Sequence, residues 1–315
     1  MQTSDIDLIY LWVDGNDPKW LVKKNQFLGK IVDLHTEATT KARYADNGEF
    51  KYSLRSVEKN APWIRKIFIV TDDQTPVWLD LQNEKVRIID HRQILPPESL
   101  PCYNTGVIEH FLWKIPDLAE HFLFANDDTF FNRPVSPDFF FTAEGLPVIR
   151  LQRVFFGKLK NSVKKVLHIP TSIYRKKIHH SASLIEKKFG RYFSFTPHHN
   201  IDAYLKSDYR NVSENVFGEE ISRTLTNHIR SENDIQRIIY NYFALSVKRG
   251  KLRFVGRNES CRIRMHNQDF SFFLRKYQPA LFCLNDSHRA TDEDRERVEP
   301  FLKQLFPEKS SFEKQ

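Results

Sequence analysis

Three apolar stretches of strand length each run straight into an acidic or amide-bearing turn, which narrows the folds open to this chain. Residues 6–13 (IDLIYLWV) end in Asp14-Gly15-Asn16-Asp17-Pro18, residues 66–71 (KIFIVT) in Asp72-Asp73-Gln74, and residues 121–125 (HFLFA) in Asn126-Asp127-Asp128. A largely unbroken apolar run is buried on both faces, the habit of strands in a parallel sheet. A further strand, residues 86–90, and helical patterns over residues 49–60 and 105–115 lie between them. The alternation predicts an α/β fold with a mostly parallel sheet flanked by helices. Ligands of such sheets bind at the carboxyl ends of the strands, so the three turns should share one edge. Asp and Asn favour turns for backbone reasons alone; the convergence of three is what points to a site.

At 315 residues the chain can bury a full core without disulfides. Its 40% hydrophobic content and 26 phenylalanines exclude a disordered or collagen-like chain. No apolar run approaches the roughly twenty residues of a bilayer span. The opening MQTSDIDLIY lacks the basic flank and cleavage site of a secretory signal. Cys102, Cys261 and Cys283 are odd in number and share no metal-like spacing. These features lead us to expect a reducing, cytoplasmic setting.

The net charge of +8 is unevenly spread. Residues 153–191 carry eleven Lys and Arg against the single acid Glu186, a local excess of +10. Such a patch suits an anionic membrane surface or another polyanion, or is simply a solvated helical face. Composition divides the chain into an α/β part (1–150), a basic helical insertion (151–195), the remainder of the catalytic domain (196–290) and a charged tail (291–315), helical or frayed. In the third part, Ser231 and Asp234 read as the start of a helix over residues 235–245, followed by a strand over 252–255.

Asp127 and Asp128 could hold a hard divalent cation, Mg²⁺ or Mn²⁺, or merely cap a turn. His198 and His199 follow Pro197 in a polar loop and are acid–base candidates. His91, His110 and His121 fall in apolar elements and read as satisfied core histidines, His179 and His180 as surface residues. Arg230 precedes a helix start, where it could meet an anion. The chain has neither GxxxxGK[ST] nor GxGxxG, so bound phosphates would need metal, Arg or Lys, and helix N-termini.

Four blocks in order resemble the Stealth family of hexose-1-phosphate transferases, which includes bacterial capsule polymerases and the catalytic subunit of the lysosomal-enzyme N-acetylglucosamine-1-phosphotransferase. They are residues 6–18, residues 42–140 (beginning ARYADNGEFKYSLRSVEKNAPWIRKIFIVTDDQTPVWL), residues 183–204 and residues 257–287, the last ending Phe282-Cys283-Leu284-Asn285-Asp286. The resemblance implies a GT-A/Rossmann-like sheet with a helical basic insertion. It also implies transfer of hexose-1-phosphate, with N-acetylglucosamine the commonest hexose, from a UDP-sugar to a glycan acceptor, releasing UMP in capsule or surface polysaccharide synthesis. Carried over by position, the catalytic residues are Asp128, Glu109, Arg230 and His198, with the doubled histidine leaving the register open by one. The metal ligands are Asp127, Asp128, Asn285 and Asp286. Trp12, Asp14, Gly15, Asp17, Arg43, Asn47, Arg55, Thr71 and Asp72 would serve the donor, Arg55 having a structural ion pair as its alternative. The implied enzyme is cytoplasmic and peripheral at the inner membrane face through residues 153–191, with no nucleic-acid partner. Its alternative is a metal-dependent glycosyltransferase releasing UDP.

Overall fold

The unbroken apolar runs become strands buried on both faces. The computed structural model describes residues 5–29, 44, 46–267, 269–286 and 289–315. Its first four strands are β1 (Ile6–Leu11), β2 (Ile67–Thr71), β3 (Val86–Asp90) and β4 (His121–Asn126). The chain continues through β5 (Thr129–Phe131), β6 (Val148–Gln152), β7 (Thr196–Pro197), β8 (Asp202–Leu205), β9 (Lys251–Phe254), β10 (Ser260–Arg264) and β11 (Leu281–Asn285). The central sheet has the order β3-β2-β1-β4-β8, parallel except where β8 runs against β4. Two three-stranded sheets flank it, β10-β11-β5 and β7-β6-β9.

Alternation along the strands splits the core between the two faces. Ile9, Phe68, Phe122 and Phe124 face one side, with Ile108 and Ile239 from helices. Leu8, Tyr10, Ile69 and Leu123 face the other, against Phe50 and Leu54 of the Glu49–Asn60 helix. Asp7, fully buried on β1, is answered by four donors. Arg65 grips it in a fork at 2.9 and 2.6 Å, and the Lys66 and Ala119 amides donate at 3.1 and 2.7 Å. It thereby clips together the entries to β1, β2 and β4, with all of its charge compensated.

Two local expectations change, and the charged tail takes the helical of its two readings. The helix over 105–115 shortens to Thr105–Glu109 plus a turn of 3₁₀ helix at Leu112–Lys114. His110 turns inward there, its ring bonded to the Tyr240 hydroxyl and its carbonyl to Ser213. The helix expected over residues 235–245 begins at Ile238, because the Asp234 carboxylate is taken by the side chains of Asn104, Asn227 and Lys177. The charged tail is not frayed. It forms helices Asp292–Glu296 and Val298–Leu305, buries Val298, Leu302 and Phe312, and bridges to Leu79. No helix among the described residues is long and apolar enough to cross a membrane.

Arg55 explains how the tail is held. Its guanidinium donates two parallel hydrogen bonds to the Glu313 carboxylate, each 2.7 Å, and another to the Phe306 carbonyl at 2.8 Å, with both side chains buried. This is the ion-pair alternative, and Arg55 lies away from the strand-end loops. Removing one partner of a buried pair leaves the other uncompensated, so Arg55→Met is expected to lower stability by about 3–5 kcal/mol. Arg55→Met/Glu313→Gln should recover part of the loss in urea unfolding. Burial alone would raise the Glu313 carboxyl, but the Arg55 bond holds it below its usual value. The pair's contribution is therefore complete above the ordinary carboxylate range and fades as the pH falls through the lowered value. Wild type and double variant should converge in stability on acidification.

Candidate active site

A cavity of about 290 Å³ opens over the carboxyl ends of the central strands. Trp12 and Val13 enter it from β1, Asp72 from β2, and Asn126, Asp127 and Asp128 from β4, while β11 contributes Asn285 and Asp286. The acidic turns thus converge on one edge, as a parallel sheet requires.

The floor is acidic. Burial pushes the Glu49 carboxyl up to about 8, even though the Asn47 amides donate to it at 2.7 and 2.8 Å. Asp127 is raised well above the usual range by burial and by repulsion from Asp128, Glu49 and Asp46. Asp128 is raised to about 6, chiefly by burial. The Cys283 thiol donates to its Oδ2 at 3.2 Å, while its Oδ1 is buried without a hydrogen-bond partner. Among the described residues, no Arg or Lys forms an ion pair with Asp127, Asp128 or Glu49. An acid cluster left this way calls for a cation from outside.

The facing wall is basic. Arg237 stacks on Phe124 with its guanidinium carbon 3.6 Å from the ring centroid, donates to Asp202 at 3.3 Å and lies 4.0 Å from Glu109. Its Nε and Nη1 are buried without hydrogen-bond partners. Arg230 donates to the Thr105 hydroxyl at 3.1 Å, and Lys177 donates to Asp234 at 3.2 Å. Burial lowers the Lys177 ammonium below its usual value and raises the Glu109 carboxyl, against the pull of Arg237 and Lys177.

The two histidines separate cleanly. His198 is buried between the Ser260 hydroxyl (2.8 Å) and Asp202 (2.9 Å) and does not line the cavity. His199 adopts a left-handed backbone, φ 59°, and this turn carries its ring into the cavity beside Asn285 at 3.2 Å. Such a conformation is costly for a residue with a Cβ and collects at functional positions. Burial and the nearby Arg262 and Arg237 push His199 down to about 4, which keeps it neutral at pH 7. Of the two positions left open by the sequence, the structure thus brings His199, not His198, into the cavity wall.

Asp128, His199 and Cys283 each place one ligand atom within 4.8 Å of the others. With the orphaned Asp128 oxygen, this donor set fits a divalent cation: carboxylates suit a hard ion, and imidazole and thiol a softer one. Burial and Asp128 raise the Cys283 thiol well above its usual value, so it stands protonated without metal. Asp286 also lines the cavity, but Arg295 grips its carboxylate at 2.8 and 3.1 Å, so its charge is already answered within the protein.

The other expected donor residues divide between wall and frame. Trp12, Asn47 and Asp72 line the cavity; Trp12 donates to Asp46 at 3.1 Å, and Asp72 meets Lys23 at 2.5 Å with its second oxygen unpartnered. Asp14 and Asp17 frame it, tied together by the Gln74 amide, and Asp17 also caps the Pro18–Leu28 helix. Gly15 admits no side chain, since a Cβ would fall 1.9 Å from the Tyr44 carbonyl oxygen. Thr71 is fully buried on β2, outside the lining, and Arg43 lies outside the described residues. Sequence reasoning missed His91, Glu49, Cys283, Lys177 and Arg237 as lining or ligand residues. The one available signal was Arg237, a lone charge inside the apolar run IQRIIYNYF.

The family comparisons follow the same segments. Residues 4–32, 43–149 and 272–315 match conserved regions 1, 2 and 4 of the Stealth proteins. The capsular polysaccharide phosphotransferase SacB of Neisseria meningitidis serogroup A is 32% identical over 98% of this chain, which spans 57% of that relative's length. The receptor polysaccharide phosphotransferase WefC of Streptococcus gordonii is 30% identical over 98% of both chains. The exopolysaccharide phosphotransferase cps2G of Lactiplantibacillus plantarum is 30% identical over 98% of this chain and 96% of its own. Among solved structures, a galactosyltransferase, LgtC, aligns with a TM-score of 0.44 at 10% identity, over 95% of this chain and 96% of that one. Near-complete coverage at this identity and three conserved regions in order place the chain in the Stealth family.

Proposed function

We propose that the chain transfers a hexose-1-phosphate, N-acetylglucosamine-1-phosphate foremost, from a UDP-sugar to a hydroxyl of a glycan acceptor in capsule or exopolysaccharide synthesis. The observation that carries this reading is the polarity of the cavity: an acidic floor that no Arg or Lys among the described residues pairs with faces a wall bearing Arg230, Lys177 and the half-unpartnered Arg237. A diphosphate accompanied by a divalent ion satisfies both sides at once, whereas a neutral sugar alone satisfies neither. The phosphotransferase names of the relatives agree with it.

In this reading the acceptor oxygen bonds to the β-phosphorus as the bond from that phosphorus to the bridging oxygen breaks. UMP departs with the bridging oxygen, and the sugar remains joined through a phosphodiester. The acceptor proton passes to the neutral His199 imidazole, leaving the Asp128 carboxylate to the cation. Arg237 and Arg230 brace the phosphates, and Asp202 and Glu109 hold Arg237 in place. Asp127, Asp128 and Asn285 would hold Mg²⁺ or Mn²⁺, which when bound neutralises the diphosphate charge. Trp12 and Asn47 lie at the nucleotide end, within reach of the first two strand turns.

Incubation with UDP-N-acetylglucosamine, Mg²⁺ and an oligosaccharide acceptor is expected to release UMP, and EDTA should abolish the release. Release of UDP would instead make the protein an ordinary glycosyltransferase. Asp128→Asn should remove turnover while the thermal unfolding profile stays near wild type; normal turnover would take Asp128 out of the site. His199→Ala is expected to lower kcat by about 10²–10⁴-fold without loss of stability, the usual worth of a positioned acid–base group. His198→Ala should instead cost about 1–3 kcal/mol of stability, because it strands buried polar partners. A larger kcat loss for His198→Ala would reverse the two roles.

A further inference from the structure

The Gly157–Val166 helix is inside out. Leu159, Val163 and Val166, spaced i, i+4 and i+7, share one face, and Phe156 and Leu167 extend it. All five are open to solvent, at 62, 46, 74, 73 and 62% exposure, and Phe155 (64%) and Ile169 (45%) continue the patch. The side turned to the protein is the polar one: Gly157 sits against Ser194, and Lys158 bonds to Glu186. A surface helix ordinarily turns its apolar stripe inward, and a contiguous exposed stripe marks a surface awaiting a partner.

Charge identifies the partner. Lys160 and Lys164 border the stripe, and residues 153–191 carry a net +10. A second copy of the chain would set this charge against itself, whereas a bilayer with anionic headgroups answers the lysines and receives the apolar stripe. We propose that residues 155–169 form an interfacial anchor that inserts into an anionic lipid surface.

The anchor leads directly into the Ile173–Phe189 helix, whose Ile173, Tyr174 and Lys177 line the cavity. Resting on the transfer reading, this placement makes the acceptor a glycan presented at the lipid surface beside the cavity mouth.

Vesicle co-sedimentation of the full chain reads the anchor without any turnover, so it stands or falls apart from the transfer chemistry. Binding is expected to equimolar phosphatidylglycerol–phosphatidylcholine vesicles, and at least tenfold more weakly to phosphatidylcholine alone. Leu159→Ser/Val163→Ser/Val166→Ser/Leu167→Ser changes only exposed positions and no charge; it should cut binding by at least tenfold and leave the circular dichroism unchanged. Lys160→Gln/Lys164→Gln should weaken binding about fivefold per lysine at low salt. In Phe155→Trp, a new emission component quenched by brominated acyl chains would report insertion. Undiminished binding by the serine variant would reduce the contact to charge adsorption and overturn the proposal. Failure of the wild type to bind either vesicle, or self-association abolished by the serine variant, would overturn it equally.

Discussion

Asp127 and Asp128 sit at the end of a strand buried on both faces, with Glu49 and Asp46 close enough to raise Asp127 further. Neighbouring carboxylates in a poorly solvated site repel one another and resist ionising, and the ordinary remedy is a lysine or arginine among them. Among the described residues that remedy is absent from the floor and supplied elsewhere. Arg65 answers Asp7, Arg55 answers Glu313, and Arg295 answers Asp286. Among the described residues these buried acids are each paired while the cluster at the strand ends is not, an arrangement suited to an ion or ligand from solution.

The opposite wall shows the complementary arrangement. Arg237 is held from behind, by Asp202 at 3.3 Å and by the Phe124 ring, while two of its nitrogens stay unpartnered. Asp202 also fixes His198 at 2.9 Å, and its interactions with His198 and Arg237 together outweigh burial and keep the Asp202 carboxyl below its usual value. One buried carboxylate thus orients a cation toward the cavity and anchors the histidine that precedes His199. The rigidity matters because electrostatic catalysis depends on charges that need not reorganise as the reaction proceeds.

The strands and their turns were legible in the sequence because burial on both faces leaves an unbroken apolar signature, and a parallel sheet then dictates which ends meet. Asp127, Asp128, Glu109, Asn285 and Arg230 came within reach through turn position and family resemblance. What stayed hidden depends on three dimensions. The choice between His198 and His199 rests on one left-handed backbone conformation, to which two identical neighbouring residues give no clue. Cys283 reads as part of an apolar strand until β11 pairs with β5 and brings it beside Asp128. The charged tail looks solvated until Arg55, some 250 residues earlier, is seen to bind it.

Lys176 and Lys177 carry this lesson furthest, because adjacent helical residues point about 100° apart and can serve different surroundings. Lys176 remains half exposed and pairs with Glu232 at the surface, whereas Lys177 is buried in the cavity wall against Asp234. A count of charges along residues 153–191 treats the two as equivalent. In the fold, Lys176 is spent at the surface of the Ile173–Phe189 helix, and Lys177, the next residue of that helix, belongs to the cavity wall. The same helix therefore joins the outer surface to the inner site. Lys177 shares the Asp234 carboxylate with Asn104 and Asn227, so one buried acid ties this helix to the cavity wall.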